Sequence, residues 1–146
     1  MSEFIYRPEI RWADLDPNFH VRHSVYYDWG ASCRVEFLKS QQVTTALMKE
    51  LLFGPILFRE EAIFRKEIHS GDHLTMNLTL LSSRRDGSRW SFRHRIMKQG
   101  EILCATLTVD GAWLDMRNRK LFAPPQIVLD MFEHTPTDPE FSWQEG

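Results

Sequence analysis

Long hydrophobic runs, charge of one sign and cysteine are all scarce in this chain, and each scarcity closes off a class of protein. No window approaches the roughly 18 consecutive apolar residues that a membrane-spanning helix needs. The opening "MSEFIYRPEI" has no basic region followed by an apolar stretch, so neither a signal peptide nor an anchor is expected. A formal charge of only -2 gives no global attraction to nucleic acid or an anionic membrane, and leaves phosphate binding to a local basic patch. The two cysteines, Cys33 and Cys104, lie far apart in apolar settings, which points to buried free thiols in a reducing cytoplasm. Repeats, low-complexity runs and linkers are missing too, so the 146 residues are expected to form one domain, 1–146, with a real core.

What is present reads as strand, helices, then a series of strands. Residues 4–13 suggest an irregular first strand interrupted by Pro8. From Ser24 to Lys39, Tyr26, Trp29, Gly30, Cys33 and Phe37 recur at helical spacing, while Val25, Val35 and Leu38 extend the apolar surface beyond one face, so this helix is predicted to be largely buried. A shorter helix over 43–52 is expected to end at "FGP". Strands are predicted over 56–68, 73–83, 89–98 and 101–115, joined at "HSGDH", "RRDGSR" and "KQGE" as an antiparallel meander. The last is apolar on both faces and belongs inside the sheet. A short strand in "NRKLFAPP" and a helical "PQIVLDMFEH" follow, and the tail from about 134 to 146 is predicted irregular, with Phe141 and Trp143 as its anchors. One long apolar helix against five or six antiparallel strands is an α+β layer arrangement. A sheet this apolar invites a second subunit, so a homodimer or homotetramer is expected.

The chemistry concentrates in "RWADLDPNFHVRHSVYYDW", Arg11 to Trp29. Asp14, Asp16, His20, Val21, His23 and Tyr26, followed by a long helix and a meander with "SGD" at a hairpin, resemble the hot-dog fold, in particular the 4-hydroxybenzoyl-CoA thioesterase family of acyl-CoA hydrolases. The resemblance covers about residues 9–125. It implies a thioesterase acting on acyl-CoA in the cytoplasm, with a catalytic carboxylate at Asp16, a histidine helper at His23, and no cofactor, since coenzyme A is part of the substrate. Two departures bear on substrate preference: the family's frequent Asn-Asn pair is Arg22-His23 here, and Trp12 stands where some relatives have tyrosine.

The residues support the same chemistry on their own terms. A thioester carbonyl is weakly resonance-stabilised, so its hydrolysis needs a base or nucleophile and a place for the oxyanion. Asp16 can attack directly or deprotonate water, because an aspartate is ionised at neutral pH. The start of the long helix offers backbone N–H groups without intrahelical acceptors and the positive end of its dipole. Ser24 is a candidate N-cap competing for those donors. His23 would orient water or protonate the departing thiolate. Trp12, Tyr26, Tyr27 and Trp29 would line an acyl pocket or serve as core, and His20 would face ligand or pack in the turn.

Each feature has a plainer reading. Asp14 and Asp16 can simply end a strand and stabilise the helix start. A metal site from His20, His23 and the two aspartates matches no known spacing, and His69 and His73 sit in a turn, so no metal is expected. In "SRRDGSRWSFRHR" the arginines alternate with apolar residues and read as a solvated face. Arg84, Arg85, Arg93, Arg95 or Lys66 would meet the phosphates of coenzyme A, whereas nucleic-acid binding fails on charge balance. Two other functions stay open: a hot-dog enoyl-thioester hydratase or dehydratase, for which Glu36 lies on the helix beyond His23, and a module that binds acyl thioesters without turnover.

Overall fold

In a computed structural model that describes residues 3–145, the long helix runs over His23–Ser40 (α1) and lies across one face of an antiparallel sheet. Tyr26, Trp29, Gly30, Cys33, Arg34, Phe37 and Leu38 form its buried stripe. The helix is less enclosed than its composition suggests. Ala31, Ser32, Val35 and Glu36 face solvent, with Val35 46% exposed, because the apolar residues beyond the stripe have no second layer to meet in one chain. At Gly30 a Cβ would stand 3.2 Å from Leu107 Cδ2 and from Arg34 Nη1, so glycine is what lets the helix lie this close to the sheet.

The second helix, Thr45–Leu51 (α2), is capped by Thr44, whose hydroxyl accepts from the Leu47 N–H at 3.1 Å. It stops at Leu52, which takes a left-handed φ of 55°, and not at the glycine of "FGP". Phe53, Gly54 and Pro55 already belong to the next strand, Phe53–Phe64 (β2). Proline is tolerated there because β2 pairs only with one neighbour and needs no outward donors.

The sheet has eight strands where five or six were expected. A two-residue β1 (Ile5–Tyr6) pairs with β3 (Leu74–Asn77), and β4 (Thr79–Ser83) continues β3 along the same edge of β5 (Arg89–Lys98). On the other side of β5 lies β6 (Ile102–Asp115), flanked by β2 and by the short β7 (Lys120–Leu121). The connections are therefore a meander only from β3 to β6, since β2 crosses over to β6. Residues 7–11 do not extend the first strand; Trp12–Asp14 form a 3-10 turn instead.

The β3–β4 break has a polar filling. Asn77 Oδ1 accepts the Arg95 N–H at 2.7 Å, and Asn77 O lies 2.9 Å from His94 Nδ1. Arg34 Nη1 is 3.1 Å from His94 Nε2. A guanidinium can only donate, so Nε2 is the acceptor and Nδ1 carries the proton. His94 is fully buried, and burial followed by repulsion from Arg34 pushes its pKa down to about 3.

Most of the tail expected to be irregular forms a strand, while Gly146 lies outside the described residues. After the helix Gln126–Glu133 (α3), Thr137–Trp143 forms a strand (β8) parallel to β4. Its anchor is Asp138, whose fully buried carboxylate accepts from Thr79 Oγ1 and Arg95 Nη1, both at 2.9 Å, with Arg93 Nη1 at 3.6 Å. The arginines read as a solvated face are thus partners of a carboxylate more than forty residues away. No helix among the described residues is long and apolar enough to cross a membrane.

Candidate active site

The turn before α1 is built by its own acids. Asp14 is buried and bound by Arg11, with Nη2 to Oδ1 at 2.8 Å and the Arg11 N–H to Oδ2 at 2.9 Å, and this hydrogen bonding holds its carboxyl below the usual range. Its backbone carbonyl accepts the Arg22 N–H at 2.9 Å. Asp16 closes the next loop: Oδ1 accepts the N–H of Asn18 at 2.8 Å and of His20 at 3.1 Å, while Oδ2 accepts from nothing among the described residues. Phe19 takes a left-handed φ of 65° so that the chain can return, and the Val21 N–H reaches Ile68 O at 2.8 Å. A bridge between His20 and His69 completes the tie to the segment after β2.

Between this turn and the end of β2 lies a cleft of about 340 Å³, lined among others by Asp16, His20, His23, Tyr26 and Lys66. Five residues named from the sequence, drawn from two distant segments, therefore meet in one place. Phe64, Arg65 and Glu67 also line it and were not anticipated. Phe64 meets the Tyr26 ring edge-on at 4.9 Å between centroids, and burial pushes the Tyr26 hydroxyl up to about 12, so it stays protonated. Arg65 and Lys66 are held by their backbone N–H groups, which both donate to Cys104 O at 2.8 and 3.1 Å. Cys104 is also the extra residue of a bulge on the β5 side of β6: Ile96 pairs with Ala105, but Met97 with Leu103.

Two residues named from the sequence lie elsewhere. Trp12 is 80% exposed, outside the cleft, and its ring leans on Phe19 at 6.2 Å. Ser24 is not the N-cap; the extended residue before the helix is Arg22, fixed there by the Asp14 carbonyl and by its own side chain on Ala13 O. Ser24 is the exposed second residue of α1 and does not line the cleft. No side chain caps this helix, so the N–H groups of His23 and Ser24 donate to no acceptor among the described residues. These are donors able to receive a developing negative charge.

The remaining candidates separate from the cleft. Glu36 lies on the exposed face of α1, in a hollow with Lys39 and Thr44. Arg84 and Arg85 line a groove of about 490 Å³ between β4, α3 and β8, where Arg85 stacks over Trp143 at 4.4 Å. Arg93 and Arg95 are engaged by Asp138. Both cysteines are free and buried, and burial raises each thiol, Cys33 to about 12, so neither supplies a thiolate.

A long helix laid on an antiparallel sheet, with a cleft at the helix start, is the hot-dog architecture. Residues 10–132 match the family model of the Thioesterase-like superfamily, and the chain belongs to that superfamily. A Staphylococcus aureus protein solved in complex with CoA superposes with a TM-score of 0.84 at 18% identity, over 99% of this chain and 90% of that one. A hypothetical protein from Aquifex aeolicus gives 0.81 at 23% identity, over 88% and 98%. A 1,4-dihydroxy-2-naphthoyl-CoA thioesterase from Synechocystis gives 0.79 at 20% identity, over 90% and 96%.

Proposed function

We propose that this protein hydrolyses an acyl-CoA thioester to the free acid and coenzyme A. The observation that carries the reading is one cleft, lined by a carboxylate with a free oxygen, Asp16, and two cationic side chains, Arg65 and Lys66, that opens at the uncapped helix start, where His23 lines it and the His23 and Ser24 N–H groups are free among the described residues. Superfamily membership and the CoA-bound and CoA-thioesterase neighbours support it.

In this reading the thioester oxygen lies against the start of α1. Asp16 Oδ2 takes a proton from water, and the hydroxide adds to the carbonyl carbon. The electron pair moves onto oxygen, where the two N–H groups and the helix dipole stabilise it. Collapse re-forms the carbonyl and breaks the C–S bond, and the coenzyme A thiolate takes a proton from His23 or from Asp16. The base role is preferred to direct attack because two N–H bonds on Oδ1 fix the carboxylate in its turn. Lys66 and Arg65 would meet coenzyme A phosphates at the mouth, with His20 and Tyr26 as cleft walls. The side chains of Trp12 and Ser24 do not line the cleft, and Ser24 enters this reading only through its backbone N–H.

The same reading takes the protein to be a homo-oligomer with sites at the interface. Among the described residues β2 leaves one edge unpaired; it exposes Phe58, Ile63 and Phe64 and runs directly into Arg65 and Lys66. Light scattering would give the mass in solution, and a monomer at all concentrations would refute it.

Thiol release from a panel of acyl-CoA chain lengths tests the function. Asp16→Asn is expected to lose about 10²–10⁴-fold in kcat while still binding acyl-CoA. Full activity in that variant would refute the role of Asp16. Binding without turnover by the unmutated protein, or hydration of an enoyl thioester in place of thiol release, would refute the thioesterase.

A further inference from the structure

His20, Glu67 and His69 come from two segments far apart in sequence, yet their Nε2, Oε2 and Nε2 atoms gather at one point. His20 Nε2 lies 3.3 Å and His69 Nε2 3.7 Å from Glu67 Oε2, and all three donors fall within 4.8 Å of one another. In a tetrahedral site with metal–nitrogen and metal–oxygen bonds of about 2.0–2.2 Å, neighbouring donors stand about 3.3–3.6 Å apart. Two of the three edges are therefore already close to that length.

We propose that these three residues form a binding site for a divalent transition-metal ion of the zinc type, at the wall of the cleft. The inference does not rest on the thioesterase reading. Two imidazoles and one carboxylate are a donor set for zinc, cobalt or nickel and a poor one for magnesium or calcium, which take oxygen ligands. One negative charge among the ligands offsets part of the ion's two, and three protein ligands leave a fourth position for water. All three side chains are partly exposed, at 30%, 66% and 48%, so an ion can enter.

The backbone holds the donors in place before any ion arrives. The His20–His69 bridge fixes the two histidine main chains opposite each other, and their rings stand edge to face, 4.6 Å between centroids. Glu67 O accepts from Lys98 Nζ at 2.9 Å. Behind His69 stands Asp72, whose Oδ2 accepts the His69 N–H at 2.8 Å and lies 4.0 Å from Nδ1. A carboxylate behind a histidine that binds through its other nitrogen is a common support of metal sites. Asp72 is itself fixed by Gln99 Nε2 at 3.0 Å. Sequence spacing could not show this, because His20 comes from a segment far from Glu67 and His69.

The test is calorimetry of zinc on untagged, chelator-treated full-length protein. One equivalent per chain is expected to bind at micromolar Kd or tighter, corresponding to about -8 kcal/mol. His20→Ala, His69→Ala and Glu67→Gln should each weaken binding at least 100-fold, and Asp72→Asn about 10–100-fold. His73→Ala, on the same turn but outside the cluster, should leave it unchanged. Cobalt should give ligand-field absorption that the three ligand variants lose. Because these positions are at the surface, unchanged circular dichroism and melting temperature will show that the variants fold. No zinc binding below millimolar, or equal binding by all variants, overturns the proposal.

Discussion

Acidification should destabilise this protein through His94. It is wholly buried, receives the Arg34 guanidinium on Nε2 at 3.1 Å and donates from Nδ1 to Asn77 O at 2.9 Å, so a second ring proton would face a cation across a desolvated gap. Its folded pKa of about 3 lies below the ordinary 6.5 of the unfolded chain. The neutral ring therefore contributes stability fully above pH 6.5, and that contribution is lost as pH falls toward 3. In that window the unfolded state takes up a proton that the native state refuses, at about 1.4 kcal/mol per pH unit. The loss from this residue alone is about 1 kcal/mol near pH 5.5 and about 3 kcal/mol near pH 4.5, a large part of a typical domain's 5–15 kcal/mol. The assay is urea unfolding at a fixed protein concentration across this range, for the natural protein and for His94→Gln, whose amide oxygen can still accept from Arg34. The variant starts less stable, but its curve should fall less steeply with acid, and the difference in slope isolates His94 from the carboxylates common to both. Parallel curves, or an NMR titration of the His94 ring near pH 6.5 in the folded protein, would falsify the argument.

Two further outcomes follow from packing and from the tail. Gly111→Ala should cost about 2–4 kcal/mol in urea unfolding, because a Cβ there would lie 2.6 Å from Ile56 O and 2.4 Å from Trp90 Cζ2, and backbone on β2 cannot step aside; a cost below about 0.5 kcal/mol would refute it. Burial alone would raise the Asp138 carboxyl, but the Arg95 hydrogen bond and its other donors outweigh this and hold it below the usual range. Its contribution is present above the ordinary carboxylate pKa and lost as pH falls below it, so Asp138→Asn should cost about 1–3 kcal/mol at neutral pH and flatten the acid limb. Hydrogen exchange should quicken at the Leu80 and Gln144 amides, which bond Pro136 O and Ser83 O across the β4–β8 seam.

What the sequence made legible is what local periodicity encodes. The predicted helix over 24–39 is α1 within a residue at each end, and the strands at 89–98 and 101–115 are β5 and β6 almost to the residue. Asp16, His20, His23, Tyr26 and Lys66 were named together, and they share the cleft. The misreadings are non-local. Asp138 turns an aperiodic, proline-bearing tail into a strand because Arg93 and Arg95 wait for it, and no local pattern marks that pairing. Trp12, which the sequence put with the site, stands on a 3-10 turn outside the cleft, and its part in binding is a matter for experiment. Ser24 has the chemistry of a cap, yet the Asp14 carbonyl fixes Arg22 in the capping position first. Glu67 entered only when the fold brought it and His69 to His20; the sequence offered His69 with His73 alone, in a turn.

The Cys104 bulge also determines which experiments can see how the cationic wall is built. The group that holds Arg65 and Lys66 is a main-chain carbonyl, and every amino acid carries one. A survey that swaps side chains one at a time would therefore score Cys104 as a packing position in the core, tolerant of small apolar residues. Removing the residue altogether would erase the bulge and put the two ends of β6 out of step, so that the pairing with β5 and the carbonyl offered to Arg65 and Lys66 could not both keep their places. In this protein a part of the candidate site is written in the count of residues along a strand, and only insertions and deletions can read it.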